Sequence, residues 1–187
     1  MKRVAMAAAL VAILASGCST FEQQGPRAVA SLEAAKGNPV WGSVSFVETK
    51  NGVVVVRADV RGLRSNGEFG FHVHEKGDCS SADFMSAGGH FNPGGKPHAH
   101  HGKPERHAGD LQNLKADAEG NATYAFETKL LTVVKGPNSV VGRAVIIHAN
   151  PDDYTSQPAG NSGPRIACGL IREVDEGTGP LYPRLSR

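Results

Sequence analysis

Residues 71–110 contain Phe71-His72-Val73-His74, then Gly88-Gly89-His90-Phe91-Asn92-Pro93, then His98, His107 and Asp110. Seven of the eight histidines of the chain lie in this stretch. The eighth, His148, ends an apolar run that starts at Ala144. Imidazole at this density, closed by one carboxylate, is ligand chemistry suited to zinc or copper. A lone histidine is ordinarily a solvated or hydrogen-bonded side chain. A His-X-His pair beside a histidine-rich loop is poorly explained that way.

Those side chains need a scaffold, and the pattern around them is β. Residues 40–48 read as one strand, with Val44 and Phe46 on one face. Asn51-Gly52 is a strong hairpin signal. Residues 53–60 follow, with Val54, Val56, Ala58 and Val60 on one face and Arg57 and Asp59 on the other. Residues 69–74 form the next predicted strand. Residues 111–116, a turn at Glu119-Gly120-Asn121, and residues 122–128 read as a second hairpin. Residues 144–148 and 166–172 are the last predicted strands. Many short strands with Gly-rich turns predict an all-β, antiparallel sandwich or barrel. Period 2 turns Phe71 and Val73 toward the core and puts His72 and His74 together on the opposite face. Val145 and Ile147 turn inward likewise, which leaves His148 facing out with the other two.

Length, charge and cysteines bound the rest. A chain of 187 residues is expected to form one domain with a sizeable core. The formal charge is +2, and both charges come from Lys2 and Arg3. Without them 18 basic residues face 18 acidic ones, so attraction for a charged partner must be local, and nothing supports nucleic-acid binding. Lys2 and Arg3 precede an apolar stretch, residues 4–15, that is too short to span a bilayer. Leu14-Ala15-Ser16-Gly17-Cys18 then resembles a bacterial lipobox, the alternative being an ordinary signal peptide with an incidental cysteine. The expected organisation is a signal peptide at 1–17, a linker anchored by lipid on Cys18 at 18–38, a folded domain at 39–174 and a loose tail at 175–187. A short helix is predicted within the linker, over residues 28–35. Lipidation places the protein outside the cytoplasm, held to a bacterial membrane only by its anchor. With Cys18 so used, Cys79 and Cys168 remain either as a disulfide pair or as two free thiols. Oxidising surroundings favour the pair, and closing a loop of about ninety residues would stabilise by roughly 4–5 kcal/mol.

Five runs carry a resemblance to a known family. Gly70-Phe71-His72-Val73-His74, Gly77-Asp78-Cys79, Gly89-His90-Phe91-Asn92-Pro93, Arg106-His107-Ala108-Gly109-Asp110 and the run from Gly160 through Arg165 to Cys168-Gly169 resemble copper/zinc superoxide dismutase in its bacterial secreted form. The resemblance covers residues 40–172 and implies a Greek-key β-sandwich of about eight strands with long metal-binding and electrostatic loops. It implies copper ligands at His72, His74, His90 and His148. His90 would bridge to a zinc completed by His98, His107 and Asp110. His98, His100 and His101 compete for one zinc position; the family spacing implies His98, with His101 as its rival. Asp152 resembles an aspartate that orients ligands of both metals, the alternative being a turn residue. Arg165 would sit beside copper and attract an anion, and Cys79 would pair with Cys168.

The implied activity is disproportionation of superoxide to oxygen and hydrogen peroxide by alternating reduction and oxidation of copper, with His90 carrying a proton. It would protect the cell envelope. The rival readings are a periplasmic copper or zinc buffer and a β-sandwich lipoprotein without catalysis. The complete ligand set and Arg165 weigh against both. Bacterial and eukaryotic members of the family assemble through different surfaces, so a homodimer is compatible with the sequence but is not read from it.

Overall fold

Residues 54–61 show why the chain folds as it does. Val54, Val56, Ala58 and Val60 are buried, while Arg57 between them is exposed, so each successive side chain changes face. This strand, β3 (Val54–Arg61), pairs antiparallel with β2 (Trp41–Glu48), whose Val44 and Phe46 are fully buried. The hairpin between them closes at Thr49–Val53, where Gly52 adopts a φ of 69° that a side chain would resist. The computed structural model describes residues 25–174.

The other strands are β1 (Arg27–Ala34), β4 (Glu68–Phe69), β5 (Phe71–His74), β6 (Leu114–Lys115), β7 (Ala122–Thr128), β8 (Ala144–His148), β9 (Arg165–Leu170) and β10 (Arg172–Val174). Eight of the ten join one curled antiparallel sheet in the order β5-β8-β9-β1-β2-β3-β7, with β10 also on β1; β4 and β6 pair separately. The long connection from β7 to β8 runs from one end of that order to the strand next to the other end, as Greek-key connections do. The architecture is all-β and antiparallel, as expected. One apolar core includes Val44, Phe46, Phe71, Val73, Val145 and Ile147. A smaller cluster of Phe84, Ala87, Ala144, Ile146 and Cys168 covers the other face of β8. The Cys79–Cys168 disulfide ties the 75–90 loop over that face.

Three local expectations are corrected. Residues 28–35, predicted as a helix in a linker, are mostly strand β1, so the sheet starts upstream of residue 39. Alanine favours helix, but Ala28, Ala30 and Leu32 alternate into the core with Val29, Ser31 and Glu33 between them. Ladders to β2, β9 and β10 then satisfy the backbone, which an isolated eight-residue helix would do only marginally. Residues 111–116 do not form a hairpin with β7. Only Leu114–Lys115 is strand, and its partner is β4. The Gln112 and Asn113 amides donate instead to the Tyr124 and Tyr154 hydroxyls. The strand predicted over 69–74 is divided at Gly70, which leaves the β4 ladder to bond with Asn150 and His148. Residues 1–17, Cys18 and 175–187, where the signal peptide, lipid anchor and tail were placed, lie outside the described residues.

Candidate metal centre

Strand β5 lays His72 and His74 side by side on the face away from Phe71 and Val73. It is paired with β8, His72 opposite Ile146 and His74 opposite Ala144. His148 closes β8 at a register shift that begins after Ile147. The 88–110 loop is stitched onto β5 from the other side. Glu75 and Val73 donate to the Gly89 and Gly109 carbonyls, and Phe91 donates back to Val73. His90 and Asp110 thereby come to rest opposite His74 and His72. All seven candidate ligands are buried.

Their ligand atoms gather into two sets, each within 4.8 Å: His72, His74, His90 and His148, and His90, His98, His107 and Asp110. His90 belongs to both. Its Nδ1 is 2.8 Å from Asp110 Oδ1, whereas its Nε2 is buried without a hydrogen-bond partner. His98 Nδ1 and His107 Nδ1 lie 3.0 and 3.2 Å from the same carboxylate oxygen, yet neither makes a hydrogen bond. His72 Nδ1 is also unpartnered, and His148 Nε2 faces His74 Nε2 at 3.4 Å. Buried polar atoms are ordinarily satisfied. Lone pairs converging in this way fit a cation at each focus: four imidazoles for copper, three imidazoles and a carboxylate for zinc.

Four of the rings are held by their outward nitrogens. His74 Nδ1 meets Gly88 O at 2.9 Å, and His148 Nδ1 meets Gly163 O at 3.0 Å. His72 Nε2 and His98 Nε2 lie 2.8 and 2.9 Å from the two oxygens of Asp152. A carbonyl or carboxylate at one nitrogen favours a proton there and turns the other nitrogen toward the ligand set. Asp152 thus joins one imidazole of each set. It is fixed by the Tyr154 N–H at 2.6 Å and by paired bonds with the Asn113 side chain. Gly160 packs directly against it, and a Cβ there would strike the Asp152 carboxylate and the His98 ring.

Electrostatics divide the sets. Burial, then the neighbouring His90, pushes His72 and His74 well below the ordinary histidine value. Burial likewise lowers His148 to about 4. His98 goes the other way: burial lowers it, but Asp110 and Asp152 outweigh that and raise it to about 9. Burial alone would raise Asp110, yet the His107, His90 and His98 rings crowded against it hold its carboxyl far below the carboxylate range.

Arg165 donates through its two terminal nitrogens to Phe84 O and Gly88 O, both at 2.6 Å. It lines a cleft of about 570 Å³ together with His148. The disulfide anchors the loop that carries those carbonyls to Cys168 of β9, the strand that begins with Arg165. His101 belongs to neither ligand set; its ring packs on His100 and Phe126. The Gly88 and Gly163 carbonyls, Asn113 and Tyr154 were not singled out from the sequence. Backbone acceptors carry no side-chain signal, and Asn113 lies in a stretch that reads as ordinary strand.

An antiparallel β fold with two ligand sets sharing one imidazole is suited to a pair of metal ions. The chain matches the family model for copper/zinc superoxide dismutase over residues 40–171. Cu-Zn superoxide dismutase 2 of Aquifex aeolicus (strain VF5) is 43% identical over 137 residues, 71% of this chain and 80% of the relative. Cu-Zn superoxide dismutase 1 of the same organism is 39% identical over 147 residues, 76% of this chain and 86% of the relative. Among solved structures, the clock protein EA4 aligns with a TM-score of 0.72 at 37% identity, over 80% of this chain and 95% of that one. A double mutant of a superoxide-dismutase-like protein from Bacillus subtilis gives 0.69 at 38%, over 75% and 94%. The chain belongs to the copper/zinc superoxide dismutase family.

Proposed function

We propose that His72, His74, His90 and His148 hold copper and that His90, His98, His107 and Asp110 hold zinc in a superoxide dismutase. The observation that carries this is His90, buried between the sets with Nδ1 toward Asp110 and Nε2 unpartnered on the other side. Bound copper supplies the one-electron couple that disproportionates superoxide to oxygen and hydrogen peroxide, and zinc supplies fixed charge without redox chemistry.

The chain's own groups do the rest. His90 Nε2 is the nitrogen available to take up and release a proton. Asp152 holds His72 and His98 with their protons outward and their Nδ1 atoms inward. Arg165 offers a fixed positive fork to the anion beside His148. Membership of the family makes the chain an enzyme acting on superoxide, with copper and zinc as cofactors. Metal content and superoxide-dismutase activity of the purified protein test the whole reading. One copper and one zinc per chain with high activity is expected. Full metal occupancy without activity would favour the buffer protein instead.

The Cys79–Cys168 disulfide fits an extracytoplasmic form. The lipobox ending in Cys18 extends that reading to a signal peptide at 1–17 and a lipid-anchored protein of the bacterial cell envelope. The native protein should partition with membranes, and Cys18→Ser should prevent lipid attachment. A mature form with no lipid on Cys18 would sink this part.

A further inference from the structure

The cleft beside His148 has an unusual charge balance for a port that must admit an anion. Arg165 is its one formal cation and Asp83 its one formal anion; no lysine lines it. Lysines near Arg165 are what a nearly neutral chain would need to gather superoxide. Met85 and small or amide side chains such as Ser162 and Asn161 complete the wall.

Asp83 is also held in place. Its Oδ1 accepts the Met85 N–H at 3.0 Å. Between them Phe84 takes a left-handed φ of 57° and buries its ring against the cluster under the disulfide loop. The Phe84 carbonyl accepts one arm of Arg165. The acid is therefore one residue along the chain from the carbonyl that anchors the cation. Arg165 makes no ion pair among the described residues, so its charge is opposed by Asp83 rather than cancelled by contact.

We propose that Asp83 governs anion entry: its carboxylate weakens the pull of Arg165 at the mouth of the cleft, slowing superoxide capture and lowering affinity for other small anions. The inference rests on the assignment of Arg165 as the residue that attracts the substrate. Asp83 is a rate-setting residue that touches neither metal set, and its neutral amide analogue keeps the oxygen that accepts from Met85.

The experiment measures the second-order rate with superoxide by pulse radiolysis across a salt series. In parallel, inorganic phosphate is titrated while the Arg165 Nε–H resonance is followed in the copper(I), zinc-loaded protein. Asp83→Asn should react about threefold faster at low salt, lose that advantage as salt rises, and bind phosphate more tightly by a similar factor. Asp83→Lys should exceed it, and Asp83→Glu, which keeps the charge, should stay below it. Asp78→Asn, on the same loop but outside the cleft, should change neither readout appreciably. Arg165→Ala should be slower than the parent. If it slows while Asp83→Asn is no faster, or is faster with no change in salt slope or phosphate affinity, the inference about Asp83 is wrong and the Arg165 assignment stands. If Arg165→Ala keeps the parent rate, that assignment fails and this inference with it.

Discussion

Asp152→Asn should weaken copper binding more than zinc binding, although Asp152 touches one imidazole of each set. The side chain is fully buried. Oδ1 accepts from Tyr154 N–H at 2.6 Å and lies 2.9 Å from His98 Nε2, while Oδ2 lies 2.8 Å from His72 Nε2. An asparagine has one oxygen to offer. Placed at Oδ1 it satisfies two donors and sets its NH₂ against His72; placed at Oδ2 it sets the NH₂ against two donors. The first arrangement wins, and His72 must either face a buried donor or move its proton to Nδ1, the nitrogen of the copper set. Losing a charge-assisted bond and stranding a donor costs about 1.5–3 kcal/mol, which is roughly ten- to a hundredfold in copper affinity. Zinc, whose His98 keeps an oxygen partner, should lose only severalfold. Competition titrations with each metal measure this, and nitrogen NMR of the imidazoles reports the His72 tautomer. A copper affinity unchanged within twofold, or a larger loss for zinc, would refute the reasoning.

Arg165→Ala should lower the superoxide rate constant by about tenfold or more with metal content intact, and should flatten the salt dependence of the parent; equal salt slopes would remove Arg165 from the mechanism. His98→Ala should deplete zinc while His101→Ala leaves it in place, as zinc analysis of the two variants side by side will show; a reversed result would exchange their roles. His98, raised to about 9 from an ordinary 6.5, stabilises the apo fold through its proton fully below pH 6.5, and that contribution is lost as pH rises through about 9. Zinc must displace that proton, so calorimetry in buffers of different ionisation enthalpy should find proton release from this group near pH 7 that vanishes above pH 9. Copper should release none from His148, which titrates near 4; pH-independent zinc binding between 7 and 9 would contradict the assignment.

Much of the site was legible because alternation is a local property. Phe71-His72-Val73-His74 puts two imidazoles on one face whatever the rest of the chain does, and the run before His148 adds a third. The resemblance supplied the remaining ligand candidates, and the geometry collects the same residues into two sets. Strand β1 was not legible, because alanine-rich sequence favours helix locally and only ladders on both edges reverse that preference. The hairpin expected before β7 failed for the same kind of reason: hydroxyls of Tyr124 and Tyr154 took the amides that pairing would have used.

The sequence by itself determined the β class, the outward face of the histidines and the donor types, since these follow from side-chain period and atom chemistry. Which histidine of the 98–101 segment enters the cluster was a tertiary decision. His98 and His101 are chemically identical and three residues apart, but Asp152 reaches His98 from 54 positions away. Gln157 pins its backbone from the same side, while His101 turns to Phe126 and Tyr154. Only the folded chain also set Asp83 into the cleft beside Arg165. Contacts of that range depend on loop closure and register, which no local pattern encodes.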